Sequence, residues 1–460
     1  MTRIRHSLVL ALAGFAPIGV ALGDSEPDVP ITDQAIIVLQ PGSAIQDFNA
    51  VYGTTLLVAV PEHDLYLVQL PAWMGPEDLE DLVENDQSVQ SADPHYTGRD
   101  VDPQPGTQSI FFASTYGSYI DQPALLLIGV ASAQSSALGW GIVVAVIDSG
   151  VDAANPELAG ALIGPGFNFI DGNSDTADVG DGIDSDGDGA VDEMVGHGTL
   201  VAGLIHRVAP EAKLLPLKIL DSDGLTTTFR LSQAIYYAVD HGADIINISL
   251  GTTDDPDVLQ NAIDYATSSG ALVVAAVGNE GVAEPVRYPS GHSGSSVFAV
   301  AAVGQGDILA PFSNFGPHVS ISAPGVNITS TTPGGGYGAA SGTSFAAPLV
   351  AGTLALLRSG CAQTTLEAIG NALLSRAVPI DAVNPGYEGM IGAGRLDAAA
   401  AVGACHGDLD GNGTIGVTDL LLLLASWGGC PPPPQSCPAD LDGDGGVGVT
   451  DLLILLASWG

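Results

Sequence analysis

Basic residues are scarce in this sequence. Its 460 residues include 11 lysines and arginines against 52 aspartates and glutamates, which gives a net charge of −41 at neutral pH. A protein that binds nucleic acid needs a basic surface to neutralise phosphate, so the composition argues against such a partner. The acidic surplus fits a highly soluble exported protein and fits calcium binding. Because dispersed carboxylates are usually solvated surface, only clustered ones are considered as metal ligands.

Long uninterrupted apolar segments are also lacking. The N-terminal stretch MTRIRHSLVLALAGFAPIGVALGDSE has two arginines and then a short apolar run that ends in small residues. This pattern predicts a secretory signal peptide, residues 1–23, cut near Gly23–Asp24. A membrane anchor is the alternative, but Gly14, Pro17 and Gly19 interrupt the run. No other segment is apolar enough to span a bilayer, so we expect an extracellular protein whose mature chain has no membrane span.

Cysteines are few as well. The chain has four, and in an exported protein they can pair. Cys430 and Cys437 flank the segment PPPPQS and are close in sequence. Cys361 with Cys405 would complete one of three possible connectivities, and the sequence alone does not choose among them.

Residues 31–96 have the pattern of a small α+β unit. AIIVLQPG and HDLYLVQLP predict strands, and GPEDLEDLVEND predicts an acidic helix. The next segment, PHYTGRDVDPQPG, is rich in proline, glycine and charge. We therefore expect a domain over residues 24–98, followed by an exposed linker that is open to proteolysis and reaches about residue 118.

From residue 119 to 403, apolar runs alternate with helical patterns. GIVVAVID, KLLPLKIL, ADIINISL, ALVVAAVG and SVFAVAAVG are near-continuous runs of the kind found in parallel strands buried on both faces. The helical stretches RLSQAIYYAVDHG and DVLQNAIDYATSSG lie between them and end in glycine. These features predict an α/β fold with a doubly wound, mostly parallel sheet. Ligands bind at the carboxyl ends of the strands in such sheets.

Four polar residues are expected at that edge of the sheet. Asp148 and Asn279 each follow a predicted strand, His197 lies in a loop before an apolar helix, and Ser344 begins another helix among small residues that let a second backbone approach. Each has an ordinary structural alternative: a turn cap, a surface imidazole, a left-handed turn beside Gly278, or a helix N-cap. Those alternatives do not predict the whole set.

Together these residues suit nucleophilic catalysis. The Ser344 hydroxyl needs a base to take its proton, and histidine is suited to that role near neutral pH. Asp148 would orient the His197 ring and stabilise the imidazolium. The Asn279 amide and the Ser344 N–H, at the positive end of a helix, would hold an oxyanion. Pro348 has no N–H to offer the Ser344 carbonyl, which therefore stays outside the regular helical ladder.

Six motifs resemble those of the subtilisin-like serine peptidases (subtilases, peptidase S8). They are VAVIDSGVD, GHGTLVAG, INISLG, VAAVGNEG, FSNFGPHVSISAPGVNITST and SGTSFAAPLVAG, and the order Asp, His, Ser also matches. The resemblance covers roughly residues 120–400. It implies a catalytic triad of Asp148, His197 and Ser344, with Asn279 in the oxyanion hole.

The resemblance also implies a substrate site and a precursor. Ser249, Leu250 and Gly251 would pair with the substrate backbone as an added strand, and Gly278 would also belong to the substrate-binding site. The N-terminal unit resembles the inhibitory, chaperone-like propeptide of the family. It would be cleaved somewhere between about Tyr96 and Tyr119.

Three positions depart from the family pattern. Leu200 stands where the family usually has a second histidine, and Phe345 and Leu349 replace the usual methionine and histidine after the serine. None is a triad position. We expect them to affect packing or pocket shape more than the chemistry.

An acidic loop precedes His197. Asp184, Asp186, Asp188 and Asp192 stand at positions 1, 3, 5 and 9 of an EF-hand-like loop, with the carbonyl of residue 190 at position 7. Val195 at position 12 departs from a standard EF-hand, although Glu193 could contribute. We expect Ca²⁺ here, because four carboxylates this close together would otherwise repel one another. The alternative is an acidic surface loop.

The C-terminal part is a tandem repeat with a period of 32 residues. In each copy an acidic loop leads into an apolar helix, DLLLLLASWG or DLLILLASWG. The predicted Ca²⁺ ligands, at loop positions 1, 3, 5 and 12, are Asp408, Asp410, Asn412 and Asp419, and then Asp440, Asp442, Asp444 and Asp451. Residues 404–460 are similar to dockerin modules, whose partner would be a cohesin-like domain on a scaffold or cell surface. The alternative is a calcium-stabilised tail without a partner.

The sequence thus predicts a secreted, calcium-stabilised serine endopeptidase. It would be a monomer, made as a precursor, acting on proteins or peptides and carrying a docking tail. A catalytically inactive binding protein on the same scaffold is the alternative. An esterase is disfavoured, because GTSFA lacks the last glycine of a nucleophile elbow and the residue order differs. The preferred residue before the scissile bond is not evident from the sequence.

Overall fold

The computed structural model describes residues 29–99, 115–164, 166–292, 297–360, 365–410, 415–430, 437, 439–441, 445–457 and 459. The predicted signal peptide, Cys361, Asn412, Asp442 and Asp444 lie outside these residues. Within the described ranges, no helix is both long enough and apolar enough to cross a bilayer.

An N-terminal module is built from an antiparallel sheet and two helices. Its elements are β1 (Val29–Leu39), α1 (Ile45–Tyr52), β2 (Thr55–Val60), β3 (Leu65–Gln69), α2 (Pro76–Val83) and β4 (Val89–Arg99), with strand order β2-β3-β1-β4. The side chains of β1 alternate between two cores. Ile37 packs with Phe48 and Leu79 of the module's own helices, whereas Ile36 and Val38 pack against the rest of the protein.

Strand β4 extends into the segment PHYTGRDVDPQPG, whose composition is typical of an exposed linker. Its residues 94–99 pair with β1 and with β8 (Leu225–Thr227) of the next domain. His95 in this stretch is only 4% exposed. The ladder bonds on both sides of the strand outweigh the unfavourable strand propensity of Pro94 and Gly98.

The predicted doubly wound sheet is confirmed. It has seven strands in the order β12-β11-β10-β9-β5-β7-β6, and every neighbouring pair is parallel. The strands are β5 (Val143–Asp148), β6 (Phe167–Asn168), β7 (Lys213–Lys218), β9 (Ile245–Ile248), β10 (Leu272–Ala276), β11 (Val297–Val303) and β12 (Ile321–Pro324). The five predicted apolar runs form β5, β7, β9, β10 and β11.

Helices cover both faces of this sheet. Helices α6 (His197–Val208) and α9 (Thr343–Gly360) pack on one face, and α7 (Thr228–Asp240) and α8 (Asp257–Ser268) pack on the other. Alternate residues of β5 enter the two cores, Val144 and Val146 on one side and Ala145 and Ile147 on the other. The remaining elements are α3 (Tyr116–Ile120), α4 (Pro123–Leu127), α5 (Val130–Gln134), the hairpin β13 (Ile328–Thr332) and β14 (Gly336–Ala340), α10 (Leu366–Ser375) and α11 (Ala398–Gly407).

The two C-terminal repeats form one small module. Each contributes a helix, α12 (Val417–Ala425) or α13 (Val449–Ala457), and the short strands β15 (Gly428–Gly429) and β16 (Gly446–Val447) pair between them. Leu423 and Leu455, at equivalent positions of the two copies, are fully buried in the shared core. A disulfide joins Cys430 and Cys437.

Candidate active site

A buried carboxylate–imidazole pair lies at the carboxyl edge of the sheet. Asp148 is the last residue of β5 and His197 is the first residue of α6, and Asp148 Oδ1 lies 2.7 Å from His197 Nδ1. Both side chains are at most 1% exposed. An ionised carboxylate only accepts hydrogen bonds, so Nδ1 carries the proton and the basic lone pair of the neutral ring is on Nε2. This is the tautomer that a general base requires.

Ser344 lies in the first turn of α9 and is fully buried. Its hydroxyl donates to the carbonyl oxygen of Ser249 at 3.2 Å. In return, the Ser249 hydroxyl donates to the carbonyl oxygen of Ser344 at 3.0 Å. This agrees with the expectation that Pro348 leaves the Ser344 carbonyl outside the helical ladder. The exchange fixes the serine beside the predicted substrate strand, residues 249–251.

The segment that carries Ser344 also contacts His197. The ring of Phe345, the residue after the serine, is centred 5.2 Å from the imidazole ring. Phe345 is fully buried, as are Leu200 and Leu349, the other departures from the family pattern. All three residues belong to the core packed around α6 and α9, and Phe345 also restrains the imidazole from one side.

Asn279 is oriented by the residue before Ser344. Its side-chain oxygen accepts hydrogen bonds from the Thr343 N–H at 2.8 Å and the Thr343 hydroxyl at 3.0 Å. The amide Nδ2 is therefore turned away from Thr343, the orientation that an oxyanion donor needs. Gly278 has a left-handed φ of +106°, and a side chain there would collide with Asn314. Glycine is thus required for the turn that presents Asn279.

Asp178 is a site residue that the sequence analysis missed. Its buried carboxylate accepts from the Ser149 hydroxyl at 3.1 Å, from the Gly196 N–H at 3.0 Å, and from both the N–H (3.1 Å) and the hydroxyl (2.6 Å) of Thr199. Burial raises the pKa of this carboxyl, whereas the bonds from Gly196 and Thr199 lower it. Asp178 therefore ties the turn after Asp148 to the start of α6. It lies far from both motifs in sequence, so only the fold identifies it.

Lys218 was missed for the same reason. It ends β7 in register with Asp148, and its buried ammonium donates to the carbonyl oxygens of Ser149 and Leu220. Burial lowers the pKa of Lys218, while nearby carboxylates, Asp178 first, raise it. The side chain thus links the end of β7 to the turn after Asp148 through the Ser149 carbonyl oxygen.

Only some of the predicted ligands in the acidic loop before His197 lie close together. Carboxylate oxygens of Asp184, Asp186 and Asp188 lie within 4.8 Å of one another. Asp192, by contrast, is not in this group, and its carboxylate accepts from the backbone N–H groups of Asp181 and Gly182. Those backbone bonds lower the pKa of Asp192. Three of the four predicted ligands therefore lie together.

The C-terminal repeats gather a second set of carboxylates. Oxygens of Asp408, Asp410 and Asp419 lie within 4.8 Å of one another. In the second copy, Asp440 and Asp451 are described. Asp419 and Asp451, at equivalent positions, are at most 1% exposed, and each accepts backbone N–H bonds from the start of its own helix and from its own loop.

The site contains an imidazole oriented by an aspartate, and a serine in the first turn of a helix. Both lie at the ligand-binding edge of a doubly wound sheet, and this combination is typical of serine hydrolases. The sequence model of the subtilase family (peptidase S8) matches residues 139–394, more than half of the chain. The chain belongs to this family.

Individual relatives agree with this placement. The chain is 42% identical over 229 residues to the thermophilic serine proteinase of Bacillus sp. strain AK1, a match that covers 47% of this chain and 52% of that protein. It is 39% identical over 221 residues to thermitase of Thermoactinomyces vulgaris, covering 48% of this chain and 76% of thermitase. Among solved structures, fervidolysin from Fervidobacterium pennivorans, a keratinolytic enzyme related to subtilisin, superposes with a TM-score of 0.66 at 25% identity, over 82% of this chain and 61% of fervidolysin. The match thus spans about half of the first relative and about three fifths of fervidolysin.

Proposed function

We propose that this protein is a serine endopeptidase in which Ser344 is the nucleophile and His197 the general base. The observation that carries the proposal is the buried 2.7 Å contact between Asp148 and His197, together with the position of Ser344 in the first turn of α9. The Ser344 hydroxyl attacks the substrate carbonyl while His197 Nε2 takes its proton and later gives it to the leaving amine. Asn279 Nδ2 and the Ser344 N–H stabilise the oxyanion, and water hydrolyses the acyl-enzyme.

The test is hydrolysis of a casein or peptide substrate by the Ser344→Ala variant. We expect a loss of at least about a thousandfold, because the bond-forming atom is removed. Ser268→Ala is the matched control, since Ser268 is exposed and its hydroxyl bonds only within α8. Folded wild-type protein that hydrolyses no peptide and is not labelled by a fluorophosphonate would instead support the alternative, a catalytically inactive binding protein.

We further propose that residues 24–98 are a propeptide. The support is its contact with α7 and α8, where the Asp93 carboxylate accepts from the N–H groups of Asp257 (2.6 Å) and Val258 (3.2 Å) at the start of α8. The ring of His63 stacks on Tyr236 at 4.2 Å, and its Nε2 lies 2.7 Å from Asp240 Oδ2. A carboxylate at a helix N-terminus is favoured by the helix dipole.

Mapping the N-terminus of purified protein tests the precursor. We expect wild-type protein to start after residue 99, and Ser344→Ala protein to keep residues 24–98 attached. Equal processing of both would show that another protease makes the cut, or that residues 24–98 are a permanent domain.

Calcium binding is proposed for two carboxylate groups. The first is Asp184, Asp186 and Asp188, and the second is Asp408, Asp410 and Asp419. Both groups supply only oxygen ligands, which Ca²⁺ prefers. Ca²⁺ that binds only the native state would raise its stability, so a chelator should lower the melting temperature and added Ca²⁺ should restore it. An unchanged melting curve in excess chelator would contradict this proposal.

We propose that the protein is exported and that residues 404–460 dock onto a cohesin-like domain. The support is a duplicated apolar surface, since Leu421 (60%) and Leu453 (60%) are exposed at equivalent positions of α12 and α13. Trp427 (46%) and Trp459 (39%), at equivalent positions after the two helices, are also exposed, and apolar patches often bind proteins. Full-length protein with both leucines changed to glutamate should lose binding to an immobilised cohesin-type domain. No binding by the wild-type chain would favour a tail without a partner.

A further inference from the structure

Three chain segments meet near Ser344. The strand end at Thr252 exchanges two backbone hydrogen bonds with Tyr288, Thr252 N to Tyr288 O at 2.9 Å and Tyr288 N to Thr252 O at 2.8 Å. This places residues 287–290 against the predicted substrate strand. The third segment is the Gly278 turn, where a Cβ would lie 3.0 Å from Cγ of Arg287 and 2.7 Å from Glu280 Oε2.

Arg287 and Glu280 form a buried ion pair at this position. Arg287 Nη2 bonds Glu280 Oε1, and the two side chains are 7% and 8% exposed. The other carboxylate oxygen, Oε2, accepts from Asn314 Nδ2 at 2.6 Å. Both oxygens of Glu280 are thus engaged. The Nε–H of Arg287 has no hydrogen-bond partner among the described residues, so the pair retains a buried donor.

We propose that Arg287 selects the side chain of the residue before the scissile bond and that it favours glutamate, then glutamine, over lysine or leucine. This inference rests on the proposed function. With the substrate backbone paired along residues 249–251 and its carbonyl oxygen at Asn279, the side chain next to that carbonyl lies between the substrate strand and the Gly278 turn. Arg287 lies next to both, because Tyr288 pairs with Thr252 and a Cβ at Gly278 would lie 3.0 Å from Arg287 Cγ.

The chemistry of the pair gives the direction of the preference. A carboxylate or amide oxygen of the substrate satisfies the buried guanidinium donor, and a carboxylate does so with opposite charge. A lysine would bring a second cation next to Arg287, and both oxygens of Glu280 are already engaged. A leucine would desolvate the ion pair and return no hydrogen bond.

The test is kcat/KM on four quenched-fluorescence peptides that differ only in the residue before the scissile bond: Glu, Gln, Lys and Leu. The wild-type enzyme should cleave the Glu peptide at least about tenfold faster than the Lys peptide, as for one close charge pair. Arg287→Gln should lower this Glu/Lys ratio about tenfold, and Glu280→Gln should raise it by freeing the guanidinium. Arg358→Gln should leave the ratio unchanged, because Arg358 pairs with Asp244 at the opposite edge of the sheet.

A wild-type preference for lysine or leucine, or an unchanged ratio in folded Arg287→Gln enzyme, would overturn the inference. Fluorophosphonate labelling of each variant reports whether its site is intact. If Arg287→Gln does not fold, the wild-type preference and the Glu/Lys ratio of kcat/KM in Glu280→Gln still test the inference. Failure of the proposed function is a different result, since it leaves all four peptides uncut and the protein unlabelled.

Discussion

Two titratable side chains on β4 should give the docking of the N-terminal module opposite responses to pH. His95 is buried, with Nδ1 2.9 Å from Gln34 Oε1 and its ring edge-on to Phe229 at 6.3 Å. Burial lowers its pKa to about 4, and the charge of Arg230 acts in the same direction. Two residues earlier, burial raises the pKa of Asp93 to about 7; the charge of Asp257 adds to this, and the N–H bonds at the start of α8 oppose it.

The direction of each pH effect depends on how the pKa of the side chain in the docked module differs from its pKa in water. Neutral His95 contributes stability above its ordinary pKa of 6.5, and this is lost as pH falls towards 4, a change of about 3 kcal/mol. Asp93 contributes stability below its ordinary pKa of 3.8, and this is lost as pH rises towards 7, a change of about 4 kcal/mol. Between pH 4 and 6.5 the two changes oppose each other, so their sum in the parent chain should be nearly flat.

Single variants separate the two contributions. The assay is hydrogen exchange of β4 peptides in Ser344→Ala protein, which gives the opening free energy after correction for the pH dependence of chemical exchange. From pH 6.5 to 4.5, the opening free energy of β4 in the Asp93→Asn variant should fall by about 2–3 kcal/mol relative to the parent, because only the His95 contribution remains. In the His95→Gln variant it should rise by a similar amount. Variants that shift in the same direction, or that follow the parent, would refute the reasoning.

Two further substitutions test the support of the catalytic pair. Asp178→Asn places an amide donor against the Ser149, Gly196 and Thr199 groups, which all donate hydrogen bonds to Asp178. We expect kcat to fall about a hundredfold with little change in KM. An unchanged kcat in a variant with an intact melting temperature would contradict the positioning role of Asp178. Gly198→Ala would push a methyl group into the Gly150 carbonyl oxygen and to 3.0 Å from Asp148 Oδ1. We expect at least a hundredfold loss of kcat/KM in protein whose circular dichroism is native, and near-normal activity would show that this packing is not needed.

Five of the seven strands of the main sheet were predictable because they are apolar runs whose side chains are buried on both faces. Val144 and Ile147 enter opposite cores, so the whole of β5 is apolar and stands out in the sequence. The two-residue strand β6 and the hairpin of β13 and β14 have no such signature, since they are short or rich in threonine and glycine. Strand β4 was missed because its partners, β1 and β8, are distant in sequence.

In the candidate active site, too, some residues could be predicted from the sequence and others could not. Asp148, His197 and Ser344 were predictable because each belongs to a local motif with its own strand or helix. Asp178 and the pair of Arg287 with Glu280 were not, because their roles depend on which loops the fold brings together. Asp192 stands at a predicted ligand position of its loop, and its carboxylate accepts hydrogen bonds from the backbone N–H groups of residues 181–182, a contact that loop spacing does not reveal.

The most direct test of the account is to identify by mass spectrometry the residue that a fluorophosphonate modifies in the purified protein. The account predicts a single modified residue, Ser344, and loss of the modification in His197→Ala protein that is still folded. Modification of a different serine, or equally fast modification of Ser344 without His197, would contradict the assignment of nucleophile and base.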